Sequence, residues 1–128
     1  MKRAVVFSSK LGSVKVIADR IAEATGADKF DLADGAPDVS GYDWIHLGSG
    51  IYMGNPPKEV QDFVAANRDK IDRMSLFVAC TLCGTRGDGM TRTLAKRFGI
   101  ADAMYYDKPE SQVNVPESKL EEYISGLV

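Results

Sequence analysis

The chain has 128 residues, of which 45% are hydrophobic and 27% charged, and its formal net charge is -2 at pH 7. That length suits one domain with a buried core and leaves little for a second, so residues 1 to 128 read as a single domain. The composition is neither disordered nor membrane-like, and the scattered basic residues form no electropositive stripe for nucleic acid.

In chain order, Ala4, Val5, Val6 and Phe7 form a short apolar run closed by Ser8 and Ser9, the pattern of a strand buried on both faces. Val14, Ile17, Ala18, Ile21, Ala22 and Thr25 then recur at helical spacing, with Lys15, Asp19, Arg20 and Glu23 opposite them and Gly26 as a stop. Residues 28 to 33 read as a second strand, and Gly35 to Gly41 as a loop or at most one helical turn. The third strand, Trp44 to Leu47, ends in a glycine-rich segment from Gly48 to Pro57. A helix from Lys58 to about Lys70 follows, with Val60, Phe63 and Val64 on one face. Ser75 to Thr81 makes a fourth strand, followed by a second glycine-rich loop from Leu82 to Gly89. A helix around Met90 to Phe98, a strand around Ala103 to Tyr106 and a terminal helix from Pro116 complete the chain.

Strands alternating with helices imply parallel pairing through right-handed crossovers, hence an α/β fold with an open sheet covered on both faces. Five strands fit the order 2-1-3-4-5, although periodicity alone does not set strand order. In that order the ligand site lies beyond the carboxyl ends of the strands, between strands one and three. Three loops meet there. The first, Ser8, Ser9, Lys10, Leu11, Gly12, Ser13 and Val14, feeds a helix N-terminus, where free amides and the dipole favour an anion such as phosphate. Ser13 serves there either as a phosphate donor or simply as the helix cap.

The stretch FSSKLGSVKVIADRIAE resembles the phosphate loop of the flavodoxin family, and DVSGYDWIHLGSGIYMGNPPKEVQDFVAAN is similar to the third-strand region of its protoporphyrinogen-oxidase-type members. Leu11 and Val14 depart from the family pattern, standing where hydroxyl residues are usual. The resemblance implies a flavodoxin-like three-layer sandwich that binds FMN without a covalent bond. It places the flavin ring between the second loop, Ile51, Tyr52, Met53, Gly54 and Asn55, and the third, Thr81, Leu82, Cys83, Gly84, Thr85, Arg86 and Gly87. Tyr52 and Met53 suit a flat conjugated ring, unless one of them packs into the core. Gly54 tolerates positive φ, so its carbonyl can turn toward the flavin N5–H of the semiquinone. Backbone donors of the third loop would meet the pyrimidine edge, and Arg86 would meet the flavin, a partner or solvent.

The functional expectation is an electron carrier cycling FMN between oxidised, semiquinone and hydroquinone states, served by a reductase and an acceptor protein. The alternatives are a quinone-coupled protoporphyrinogen-dehydrogenase-type oxidoreductase and a flavodoxin-like module without cofactor. No apolar run approaches the roughly 20 residues of a membrane span and the N-terminus MKRAVVFSS turns polar too early for a signal peptide, so a cytoplasmic protein is expected. Cys80 and Cys83 have redox-motif spacing, but the reading favours a structural Cys80 and a half-exposed Cys83. Two cysteines and the lone His46, set in an apolar strand, do not make a metal site.

Overall fold

A computed structural model describes residues 2–8, 12–52, 54–80 and 83–107. Its five strands are β1 (Arg3–Phe7), β2 (Asp28–Asp31), β3 (Trp44–Ser49), β4 (Met74–Ala79) and β5 (Asp102–Tyr106). They form one parallel sheet, as the alternation of elements anticipated, and its order is β2-β1-β3-β4-β5, the order that five strands were expected to fit. The α-helices are α1 (Ser13–Thr25), α2 (Lys58–Ala66) and α3 (Gly87–Phe98).

Successive strand residues face opposite sides, so one strand feeds two cores. Ala4 and Val6 of β1 join Ile45, Leu47, Leu76 and Val78 against Val60, Phe63 and Val64 of α2 and Leu94, Ala95 and Phe98 of α3. Val5 and Phe7 join Phe77 and Ala79 against Val14, Ile17, Ala18 and Ile21 of α1. Burial on both faces explains why these strands read as unbroken apolar runs.

Some boundaries differ from the sequence reading. The second helix stops at Ala66, because Asn67 turns its side chain back to donate to the Phe63 carbonyl at 2.9 Å. A 3-10 segment, Arg68–Arg73, carries the chain onward from there. Only a 3-10 turn, Leu32–Asp34, follows β2, capped by the Asp31 side chain. The helix expected near Met90 begins at Gly87. The terminal helix expected from Pro116 lies outside the described residues.

Two buried features set the sheet's middle. Gly48 pairs with Phe7 on one side and Phe77 on the other, and a Cβ there would lie 2.3 Å from the Phe77 ring. The missing side chain is what lets that ring lie across β3. Beside it, Ser75 Oγ accepts from Trp44 Nε1 at 3.1 Å and contacts His46 Nδ1 at 3.1 Å. His46 is fully buried and its Nε2 finds no partner. Burial, helped by the positive charge of Arg3, pushes its pKa down to about 3.

Gly48→Ala should cost about 1–3 kcal/mol in urea unfolding, because the obstacle is a packed aromatic ring rather than a flexible chain end. His46 makes a second prediction. Above pH 6.5 it is neutral in both states, whereas between 6.5 and about 3 the unfolded chain binds a proton that the folded chain refuses. Stability should therefore fall as pH drops through this window, by up to about 1.4 kcal/mol per pH unit. As His46 is the chain's one histidine, His46→Gln should flatten the slope between pH 6.5 and roughly 5, where carboxylates contribute little.

Candidate functional site

Because all five strands run the same way, the loops leaving β1, β3 and β4 emerge at one edge of the sheet. The order reverses between β1 and β3, whose crossover helices leave in opposite directions and open a crevice. The amide of Ser8 donates to the Gly48 carbonyl at 3.2 Å, extending the β1–β3 pairing to the floor of that crevice. Ser8 is buried, and its hydroxyl donates to Glu59 Oε1 in the first turn of α2.

The first loop enters α1 through Gly12, which takes the left-handed conformation with φ of 86°. Gly12 is the N-cap, the helix has no side-chain cap hydrogen bond, and its first turn holds no acidic residue. The cap role considered for Ser13 is therefore not used. Ser13 is half-buried at the first helical position, and Val14 turns inward to the α1 core. Uncapped amides beside a glycine cradle suit an anion. Ser9, Lys10 and Leu11 lie outside the described residues.

The second loop folds into a tight turn. Tyr52 N–H donates to the Asn55 carbonyl at 2.8 Å and Asn55 N–H to the Tyr52 carbonyl at 3.0 Å, with Gly54 at φ of 81° between them. The Tyr52 ring folds back toward Gly50, where a Cβ would sit 2.8 Å from its hydroxyl. Gly54 and Asn55 stand exposed. Ile51 points the other way, into the core, and also lines a partly open surface pocket of about 80 Å³ with Gly54, Met90, Leu94 and Arg97. Met53 lies outside the described residues.

The third loop holds the largest departure from the sequence reading. Cys80 and Cys83, read as a structural cysteine and a half-exposed one, are both half-buried and are joined as a disulfide with their Cα atoms 5.5 Å apart. Cys80 does not continue β4, which ends at Ala79. Gly84–Arg86 then form a 3-10 turn that runs straight into α3. Thr85 and Arg86 are exposed and Gly87 is buried. Thr81 and Leu82 lie outside the described residues.

Sequence reading missed two residues here. Tyr105, on β5, donates its hydroxyl to the Cys80 carbonyl at 3.0 Å and the Gly84 carbonyl at 3.1 Å, bracketing the bridged segment. Its ring occupies the space beside Gly87, where a Cβ would fall 1.9 Å from it. Burial and the negative charge of Asp107 push the Tyr105 phenol above its ordinary pKa, so it remains a donor at neutral pH. The other is Glu59. Its only signal in the sequence is an acid in a helix's first turn, which by itself indicates a dipole partner.

The architecture is that of a flavodoxin-like α/β protein. A family model described as a flavodoxin domain matches residues 4–113, and the chain belongs to that family. No curated protein matches the chain. Among solved structures it is similar in fold to a flavoprotein in complex with FMN from Lactobacillus acidophilus NCFM. That match has a TM-score of 0.62 and 12% identity, covering 96% of this chain and 98% of that one. Oxidised Flavodoxin 2 from Bacillus cereus is similar at a TM-score of 0.59 and 16% identity, covering 98% and 94%. A flavodoxin mutant from Fusobacterium nucleatum bound to flavin mononucleotide gives 0.54 and 11%, covering 97% and 93%.

Removing the Tyr105 hydroxyl leaves two carbonyls of the third loop without their shared donor. Tyr105→Phe should cost about 1 kcal/mol in urea unfolding.

Proposed function

We propose that this chain binds FMN noncovalently at the three-loop crevice and carries electrons between a reductase and an acceptor protein, with residues 1 to 128 working as one such domain. The observation that carries the reading is the convergence, at the β1–β3 reversal, of an uncapped α1 N-terminus behind Gly12 with the Gly54 turn and the bridged third loop. FMN-bound relatives of the same fold support it.

The residues fit an FMN-sized ligand with a phosphate at one end. Gly12 keeps a side chain out of the loop, while amides at the start of α1 offer donors to the phosphate, joined by Ser13 and, in the proposal, Ser9 and Lys10. Tyr52 supplies an aromatic surface at the second loop, with Met53 proposed beside it. The amides of Cys83, Gly84 and Thr85 are proposed to face the far edge of the ring, beside Arg86 and Gly87, whose own amides donate to Cys83 and Gly84 within the turn, with Thr81 and Leu82 proposed to complete that wall. Bound there, FMN supplies one-electron redox chemistry. The exposed turn at Gly54 and Asn55 leaves an edge open to a docking protein.

Glu59 borders this site. The Ser8 hydroxyl donates a hydrogen bond to that carboxylate and is committed away from a phosphate, which backbone amides and the other hydroxyls of the loop would hold instead.

Purified protein incubated with excess FMN and then gel-filtered should retain a flavin spectrum corresponding to one FMN per chain. A colourless protein would exclude the reading. Fluorescence titration of FMN measures the affinity.

A further inference from the structure

The electron-carrier reading has no use for the Cys80–Cys83 bridge. The bridge nevertheless lies in the loop assigned to the flavin, closing a ring over positions 80 to 83. Both cysteines are half-buried, neither sealed in the core nor fully exposed. Disulfide exchange needs a thiolate to approach one sulfur, and partial exposure allows it.

The backbone around the bridge is held independently of it. Cys80 N–H donates to the Tyr106 carbonyl at 3.2 Å, and the Tyr105 hydroxyl binds the carbonyls of Cys80 and Gly84 on either side of the pair. Arg86 N–H donates to the Cys83 carbonyl at 3.1 Å, anchoring Cys83 to the turn that starts α3. When the sulfurs separate, these four hydrogen bonds keep both residues in place, so the bond can re-form without refolding. The chain holds no third cysteine, so an intramolecular thiol cannot open the bridge and the reductant must come from outside. In a reducing compartment a disulfide that persists is usually one that cycles.

We propose that Cys80 and Cys83 form a reversible thiol–disulfide site, opened by an external dithiol whose two thiols can close an unstrained ring, and that its closed state strengthens the loop's hold on FMN; the second half rests on the FMN-binding reading above. One thiolate of the external dithiol attacks a sulfur of the pair, forming a mixed disulfide as the Cys80–Cys83 bond breaks and the other sulfur leaves as a thiolate and takes a proton. The reductant's second thiolate then attacks its own sulfur in the mixed disulfide. It leaves as a cyclic disulfide, and the remaining cysteine thiolate is protonated. Two electrons and two protons pass to the protein while the dithiol is oxidised. The closed ring holds the Cys80 and Cys83 side chains in one arrangement before ligand arrives, whereas in the open form binding must also order those side chains, and affinity falls.

The test equilibrates the full chain with reduced and oxidised dithiothreitol in varied ratio, traps free thiols with N-ethylmaleimide and reads the intact mass. Two alkyl groups should appear together along a two-electron curve. FMN titration in the dark, before and after opening the bridge with a phosphine reductant, should show about fivefold weaker binding in the open form. Cys80→Ser/Cys83→Ser should match the open form and ignore the reductant. If circular dichroism shows that variant misfolded, the native protein in its two states carries the comparison. Thiols that never pair under oxidised dithiothreitol, or a bridge that never opens under the reduced form, overturn the proposal. Equal FMN affinity in both states overturns the coupling and leaves the carrier reading standing. A bridge that cycles in a chain that binds no FMN in either state sinks the carrier reading and the coupling together.

Discussion

Parallel pairing of β1 with β3 is the constraint on which the rest of this molecule depends. With β2 on the outer side of β1 and β4 on the outer side of β3, the helices that follow β1 and β3 must cross away from each other. The crevice between them is a consequence of connectivity, and it exists whatever residues line it. What this chain adds is a floor that ties the two halves together. Ser8 reaches Gly48 through its backbone and Glu59 through its hydroxyl, so one buried residue joins the end of β1 to both β3 and the start of α2.

The glycines near this crevice do two different jobs. Gly12 and Gly54 take left-handed backbone conformations that shape turns. Gly48 and Gly87 sit opposite aromatic rings and are needed for the space they leave vacant, one under Phe77 and the other beside Tyr105. A glycine-rich segment in the sequence therefore does not translate into a loose loop. Half of this glycine content packs rings against backbone and stiffens the platform from which the loops project.

The same logic applies to the third loop. Its polypeptide is braced from β5 by the Tyr105 hydroxyl and the Tyr106 carbonyl, and from within by a disulfide. β5, at the far edge of the sheet, thus influences the crevice through two adjacent residues. A loop braced twice is a poor candidate for an idle connection, and its second brace is one that chemistry can undo.

The sequence by itself determined the elements and their order, because both rest on local physics. Apolar runs of four or five residues declared strands covered on two faces, i/i+3/i+4 spacing declared α1 and α2, and Gly26 marked where α1 ended. The site was legible as three polar, glycine-rich loops, since alternating strands and helices bring them to one sheet edge. Tertiary structure decided what depends on neighbours distant in the chain: the strand order itself, the Ser8–Glu59 bond across 51 positions, and the Tyr105 bracket on Cys80 across 25. It also decided the Cys80–Cys83 bridge, because a spacing of three permits a disulfide only where the strand has ended, and β4 stops at Ala79, leaving the two Cα atoms 5.5 Å apart.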